Sequence, residues 1–343
     1  MKKISVVILN WNGLGMLQKF LPKVVEYSAS QDVEVCVADN ASTDDSCVWV
    51  ENNFSEVRLV KLDKNYGFAD GYNKALQQVE AEYVVLLNSD VEVTPHWLEP
   101  LVEYLDAHPE VAACQPKIRS ERNKSFFEYA GAAGGYLDKY GYPFCRGRIF
   151  DVVEEDKGQY DTIQPIFWAT GAALFIRLKI YRETGGLDGC FFAHMEEIDL
   201  CWRLRSRGLS IVCIPQSTVF HVGAATLKKE NPRKIFLNFR NNLLMLYKNL
   251  PEKELKRVMF VRGVLDGVAA LVFLLKGEKE AARAVLQARK EFKRIRPDFE
   301  ASRAENLEKT VSNVISERVD YSILWKYHAG RKKVFSSLPA LNK

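Results

Sequence analysis

The chain has 343 residues, with 48 Lys and Arg against 44 Asp and Glu, 47% hydrophobic residues and 27% charged ones. That balance excludes a disordered chain and a polytopic membrane protein, and the length suits two domains or one large α/β domain with an appendage. The net charge of +4 hides an asymmetry: residues 251–343 carry 20 basic and 12 acidic side chains, so a tail of +8 follows a body of −4.

Lys2 and Lys3 precede only a short apolar run, residues 4–9, before Asn10-Trp11-Asn12 interrupts it. This is too short for the apolar region of a secretory signal. It reads instead as a strand covered on both faces, and residues 33–37, 57–62 and 83–87 repeat that character. Helical patterns lie between, at about 15–27, 44–53 and 69–80. Ser42, Thr43 or Asp44 suits the cap of the second, and Thr94 before Pro95 marks the start of a further helix. Strands alternating with helices imply βαβ units, hence an α/β fold with a mostly parallel central sheet flanked by helices. Ligands of such sheets sit beyond the carboxyl ends of the strands. Four polar clusters fall there: residues 10–13, 39–43, 63–67 and 88–90.

Residues 114–161 read as loops with short strands. An apolar stretch, 166–176, surrounds Thr170-Gly171. A polar cluster at 194–199 leads into a helix through Arg207, a stop at Gly208 and a strand at 210–214. Beyond Pro232 the pattern is helical to about residue 296, and a polar stretch follows. The seven cysteines are odd in number and form no CxxC pair, so neither a disulfide framework nor a zinc site is expected, and reduced cytosolic thiols are the simplest account.

Three features carry chemistry, each with a plainer reading beside it. Asp90, closing Asn88-Ser89-Asp90 after a strand, suits a divalent cation held against substrate phosphates; a turn or helix cap would use the same residues. The run from Asp39 to Asp44 has the same ambiguity. Glu196, Glu197 and Asp199 place three carboxylates within four positions. Mutual repulsion and an apolar setting would raise at least one pKa into the range of a general base. Acids at a helix N-terminus are the competing account.

The order VVILNWNG, DNASTDDS, NYGFADGYNKAL and LLNSD, followed by WATGAALFIR, GGLDGCFFAHMEEIDLCWRLRSRG and VFHVGAAT, resembles the family 2 glycosyltransferases of GT-A fold. The likeness is to their rhamnosyltransferase-like branch in bacterial polysaccharide assembly, and it covers about residues 3–245. It implies a catalytic GT-A region over 1–245, with a nucleotide-binding half (1–113) and an acceptor and catalytic half (114–245). A helical, basic C-terminal extension (246–343) follows. The resemblance assigns Asp39 to the nucleotide base, with Asn10 and Asn12 lining that pocket and Asn65, Gly67 and Asn73 shaping the nucleotide and sugar wall. Asp90 and His221 would hold Mg²⁺ or Mn²⁺, although Asn88 stands where the family commonly has a first carboxylate. Glu197 stands at the base position, where the family usually has Asp, with Glu196 and Asp199 in support; Asp199 also suits a brace for Arg203, four residues on along the same helical face. Gly171 would let the backbone approach the donor, and Trp202 and Arg203 would line the acceptor side; a tight turn and a helix-packing Trp are the plain alternatives. Arg240 suits the leaving diphosphate or a solvated helix face.

These assignments imply an inverting transfer from a UDP- or dTDP-sugar to a glycan or lipid-linked acceptor, in the cytoplasm at the inner face of the membrane. A non-catalytic nucleotide-sugar-binding or scaffold protein is the alternative, prompted by Asn88 and Glu197. A nucleotidyltransferase lacks its Gly-rich, basic triphosphate loop. In the tail, residues 258–275 form an apolar helical run broken by Arg262 and Asp266, too interrupted to span a bilayer. Basic residues follow it at 276, 279, 283, 289, 290, 293, 294 and 296. Peripheral membrane contact through 258–296 competes with packing on the catalytic region or on a second subunit as a homodimer. No nucleic-acid motif is present, so no nucleic-acid partner is expected.

Overall fold

The first apolar run forms strand β1 (Lys2–Asn10), buried almost throughout from Ile4 onward; the computed structural model describes residues 2–223 and 231–339 of the chain. Helix α1 (Leu14–Tyr27), β2 (Val33–Asp39), α2 (Ser46–Asn53), β3 (Arg58–Lys61), α3 (Gly67–Leu76) and β4 (Ala81–Asn88) follow in the expected alternation. Next come β5 (Val91–Val93), α4 (Glu99–Ala107) and β6 (Val111–Ser120). Thr94-Pro95 does not open α4: the Thr94 hydroxyl donates to the Thr218 carbonyl at 2.7 Å, and the helix starts at Glu99 with Pro100 in its first turn.

The region expected to be loops with short strands holds a small antiparallel sheet, β7 (Gly135–Leu137), β8 (Pro143–Cys145), β9 (Arg148–Ile149) and β10 (Val152–Val153). Then come β11 (Gln164–Pro165), β12 (Ala173–Arg177), α5 (Leu178–Glu183), α6 (Glu196–Ser206) and β13 (Ser210–His221). The tail is helical: α7 (Pro232–Asn249), α8 (Glu252–Leu275), α9 (Lys279–Ile295), α10 (Glu300–Glu308) and α11 (Ile323–His328). The last two helices lie in the stretch that reads as merely polar.

The main sheet runs β11-β13-β6-β12-β4-β1-β2-β3, with β5 on β13. β1 pairs in parallel with β2 and β4, β2 with β3, and β6 with β13, while β12 enters antiparallel between β4 and β6. The register sets Asn10 opposite Asp39 and Leu9 opposite Asn88, so three of the polar clusters emerge at one carboxyl edge. β13 continues beyond its expected end at 214 because the sheet tolerates a register shift between Ile214 and Thr218. Pro215, without an N–H, sits in that bulge. Pairing resumes at Thr218, and the extension delivers His221 to the sheet edge, opposite Ser120 and Val91.

Alternate residues of the strands feed two buried clusters, one on each face. Val6 and Ile8 pack with α1, α2 and α4, whereas Val7 joins α3, α5, α6 and the tail. The second cluster is continuous from the sheet through Leu243 of α7, Val258 of α8, Phe292 of α9 and Ile323 of α11.

Candidate active site

The sheet edge is assembled by short polar contacts between loops. Asn10 Nδ2 donates to Asp39 Oδ1 at 3.0 Å and to Ser42 Oγ at 3.2 Å, and Asp39 Oδ2 accepts the Ser42 N–H at 2.9 Å. Asp39 is thus buried with its carboxylate fixed, and each oxygen keeps a lone pair for a ligand. Asn12, at φ +49°, accepts the Thr43 N–H at 2.7 Å and braces this loop rather than reaching into a pocket. Asn40 ties β2 to the start of α3, donating to Asn65 Oδ1 and the Gly67 carbonyl and accepting the Tyr66 N–H. Asn65 Oδ1 also accepts the Gly67 N–H at 2.8 Å. Gly67 requires glycine twice over: its φ is +76°, and a Cβ there would stand 2.6 Å from the Phe192 ring.

Asp90 and His221 meet at the same edge, with His221 Nε2 3.1 Å from Asp90 Oδ1 and both side chains buried. The backbone fixes the pair, because the Val222 N–H donates to the Asp90 carbonyl at 3.1 Å. Glu128 faces the other side of the imidazole, with Oε2 3.4 Å from Nδ1. Burial works to lower the His221 pKa, yet Asp90 and Glu128 raise it to about 10. Burial likewise works to raise the Asp90 carboxyl, but His221 outweighs it and holds Asp90 below the usual carboxylate range. One carboxylate oxygen and one imidazole nitrogen are a donor set that fits a divalent cation sharing its shell with phosphate oxygens. Nδ1 meets Glu128 as an ion pair rather than a well-formed hydrogen bond, so a carboxylate flanks the ring on each side. Residues 224–226, the end of the VFHVGAAT stretch, lie outside the described residues.

Glu196 and Glu197 open α6 after a strained approach, with Phe192, His194 and Met195 at φ +63°, +71° and +73°. Three left-handed non-glycine residues persist only where neighbours over-determine them. Here α7 does so: Asn241 Nδ2 donates to the carbonyls of Phe191, Ala193 and His194 at 2.8–2.9 Å, and Arg240 Nη2 donates to Cys190 and Phe191. On the other side, the N–H groups of Phe68 and Ala69 at the start of α3 donate to the Phe192 carbonyl. Burial pushes the Glu197 carboxyl up to about 7 and Glu196 well above the usual carboxylate range, the latter also repelled by Glu197. One oxygen of each is buried without a partner. Gly171 connects this base candidate to the metal candidate. A Cβ on Gly171 would sit 4.0 Å from Glu197 Cβ, and the adjoining Ala172 carbonyl accepts the Asn88 N–H at 3.0 Å.

Three expectations need correction, and the plainer reading of Asp199 as a brace for Arg203 holds. Trp202 does not line an acceptor surface: it is buried edge-on against Phe167 at 5.4 Å. Arg203 is equally committed to the interior, donating to Asp199, Thr184 O and Gly186 O. Asp199 is buried away from Glu197 and bound by Arg203, Lys248 and Asn249; burial would raise its carboxyl, but Lys248 and Arg203 hold it down. It is a brace, not an acid–base group. Asn73 spends its amide on Leu187 and Tyr181, so it shapes the wall only through the 181–187 loop. Asn241 and Glu128 are parts of this site that the motifs do not single out, since they act from distant segments, and Arg240, suited by its sequence to the leaving diphosphate, donates to the Cys190 and Phe191 carbonyls. A cavity of about 440 Å³ opens beneath the 188–195 loop, lined by Asp188, Cys190, Arg240, Glu291 and Phe299.

Residues 5–173 match the family model described as glycosyl transferase family 2. An N-acetylglucosaminyl-diphospho-decaprenol L-rhamnosyltransferase of Mycobacterium tuberculosis is 22% identical over 257 residues, covering 71% of this chain and 83% of that one. Among solved structures, S. aureus TarS 1-349 in complex with UDP-GlcNAc superposes with a TM-score of 0.55 at 16% identity, over 90% of this chain and 89% of that one. The mannosyltransferase PcManGT from Pyrobaculum calidifontis, in complex with GDP-Man and Mn²⁺, gives 0.52 at 15% identity over 90% and 84%. The structural likenesses establish a GT-A fold. Asp39, Asp90 and Gly171 all fall inside the stretch that matches the family 2 model, and the chain is a glycosyltransferase.

Proposed function

We propose that this glycosyltransferase moves a sugar, with inversion, from a UDP- or dTDP-sugar to a hydroxyl of a glycan or lipid-linked acceptor in the cytoplasm, for cell-surface polysaccharide synthesis. The observation that carries the reading is Glu197: a carboxyl pushed by burial to about 7, in a strained turn against Gly171, whose loop is bonded to the Asn88-Ser89-Asp90 strand end. A group titrating near the operating pH is suited to take the acceptor's proton. Asp39, held by Asn10 and Ser42, would accept from the base of the nucleotide. Asp90 and His221 would hold Mn²⁺ or Mg²⁺. When bound, the cation would supply positive charge to the donor diphosphate. The acceptor oxygen, deprotonated by Glu197, would attack the anomeric carbon opposite the nucleotide, so that one bond forms as the sugar–phosphate bond breaks. The M. tuberculosis relative, named for transfer to a decaprenol-linked diphosphate sugar, supports the acceptor class.

Thermal-shift screening of nucleotide-sugars with and without Mn²⁺, followed by turnover assays, tests this reading. A metal-dependent shift with a UDP- or dTDP-sugar, and turnover lost in Glu197→Gln, is the expected result. Binding without turnover across a broad panel would return the chain to a non-catalytic nucleotide-sugar-binding role, for which Asn88 and the Glu at position 197 remain the motive.

A further inference from the structure

Helix α8 is built inside out. Val258, Arg262, Asp266 and Ala270, spaced by four, are its buried stripe, and two of those four are charged. Arg262 donates to the Tyr140 carbonyl at 3.0 Å and to Asn242 Oδ1, and lies 4.3 Å over the Tyr142 ring. Asp266 accepts from Arg262 and, at 2.5 Å, from Arg289 of α9. The opposite stripe, displaced by two positions or about 200° around the helix, is apolar and exposed: Phe260, Val264, Val268, Leu271 and Leu275. An amphipathic helix on a water-soluble surface shows the reverse arrangement.

Among the described residues α8 is the one helix long and apolar enough to cross a membrane, by length and composition. Arg262 and Asp266, read from sequence as interruptions, do not lessen that outer face, because both point inward. They also argue against crossing, since a spanning α8 would strip a buried ion network from its partners. We infer that the outer face of α8 lies in the plane of an anionic lipid surface. The charges bracketing the stripe favour that occupant. Lys253, Lys256 and Arg257 are exposed at its start, and Lys276 and Lys279 just past its end. The nearby acids are largely spoken for, with Glu252 on Arg303, Glu254 on Arg318 and Glu280 on Arg283. A second copy packed face to face would bring two such basic rims together, whereas phosphate headgroups complement them and the lysine stems extend to reach them. The inference does not depend on the donor or acceptor chemistry.

Co-sedimentation of the full chain with vesicles tests it, using phosphatidylcholine alone and phosphatidylcholine mixed with phosphatidylglycerol. Binding is expected to the mixed vesicles, weaker by about tenfold or more on phosphatidylcholine or at high salt. Val264→Glu with Leu271→Glu, and separately Lys256→Glu with Lys276→Glu, should each lose about tenfold. Both pairs are exposed, and an unchanged melting temperature confirms that the fold is intact. Sedimentation unaffected by either pair, no binding to any vesicle, or equal binding to neutral vesicles overturns the inference. So does a concentration-dependent dimer that Val264→Glu dissociates, an outcome that would assign the face to a second copy.

Discussion

Asp90 and His221 stand 131 positions apart in the chain and 3.1 Å apart at the sheet edge, joined through the bulged extension of β13. If this pair is the cation site, each variant should fail in its own way. Asp90→Ala should abolish the Mn²⁺-dependent thermal shift given by nucleotide, and His221→Ala should weaken it strongly. Glu128→Gln, which removes the carboxylate beside Nδ1, should weaken Mn²⁺ affinity by about 10-fold to 100-fold, in line with the loss of a group that orients a metal-bound histidine. Titration calorimetry of Mn²⁺ in the presence of nucleotide reads all three. An Asp90→Ala protein with the parent's affinity would remove the site from this edge.

Glu197 gives a prediction in pH. Its folded pKa of about 7 lies above the ordinary 4.5, so the folded chain holds that proton more tightly than the unfolded one. The associated stability is therefore fully present below about pH 4.5 and lost as the pH rises through about 7. Glu197→Gln, neutral at every pH, should match the parent near pH 4 and exceed it above pH 7, by on the order of 1–3 kcal/mol. The same substitution should cut kcat by about 10²- to 10⁴-fold, while the parent's kcat/KM climbs with pH through about 7. Parallel melting curves at pH 5 and pH 8 decide the matter. A variant less stable than the parent at pH 8 would mean that Glu197 is ionised and satisfied in the fold.

Much of this arrangement is legible in the residues alone. The runs that form β1, β2 and β4 are β-branched and continuous, and parallel pairing then places their polar ends together whatever the details of the helices. β6 escapes notice because Cys114, Gln115, Pro116 and Lys117 interrupt any strand pattern, although the strand is buried for eight residues. Pro215 likewise reads as a stop, and only the bulge shows that His221 belongs to the same strand. The roles of Trp202 and Arg203 depend on Phe167, Thr184 and Gly186, partners that lie outside any local motif. The inverted face of α8 is hidden for a related reason. Hydropathy records that Arg262 and Asp266 are charged, not that Tyr140, Asn242 and Arg289 wait inside to receive them.

Gly67 and Gly171 separate fold from catalysis. Gly67→Ala places a Cβ at φ +76° and 2.6 Å from the Phe192 ring, so it should destabilise the chain by about 1–3 kcal/mol and disturb the 192–195 turn. Gly171→Ala meets only Phe68, at 3.2 Å, and its strain should be under about 1.5 kcal/mol. Yet its methyl group points between Phe68 and Glu197. The expected result is a melting temperature near the parent's and a kcat lower by about tenfold, because small misplacements of reacting groups are costly. Equal losses of stability and rate in both variants would leave Gly171 an ordinary tight turn.

Arg203 and Asn241 provide the sharpest contrast, since both donate to carbonyls of the segment between α5 and α6 but at different points along it. Arg203 closes the buried cluster of Asp199 and Lys248 and holds the Thr184 and Gly186 carbonyls. Its removal leaves Asp199 with less compensation, so Arg203→Ala should cost about 3–5 kcal/mol and lower the melting temperature steeply. At a temperature where that variant is still folded, KM for acceptor should stay near the parent's value, because the side chain does not reach a surface where an acceptor could sit. Asn241 instead holds the three carbonyls that keep the left-handed run before Glu197 in place. Asn241→Ala should cost less stability, about 1–3 kcal/mol, and more catalysis. Its kcat should fall by at least tenfold, and the pH at which the rate rises should move down as the loosened turn admits water to Glu197. A pH–rate profile that keeps its midpoint while kcat falls would show that Asn241 supports the fold without setting the environment of the base.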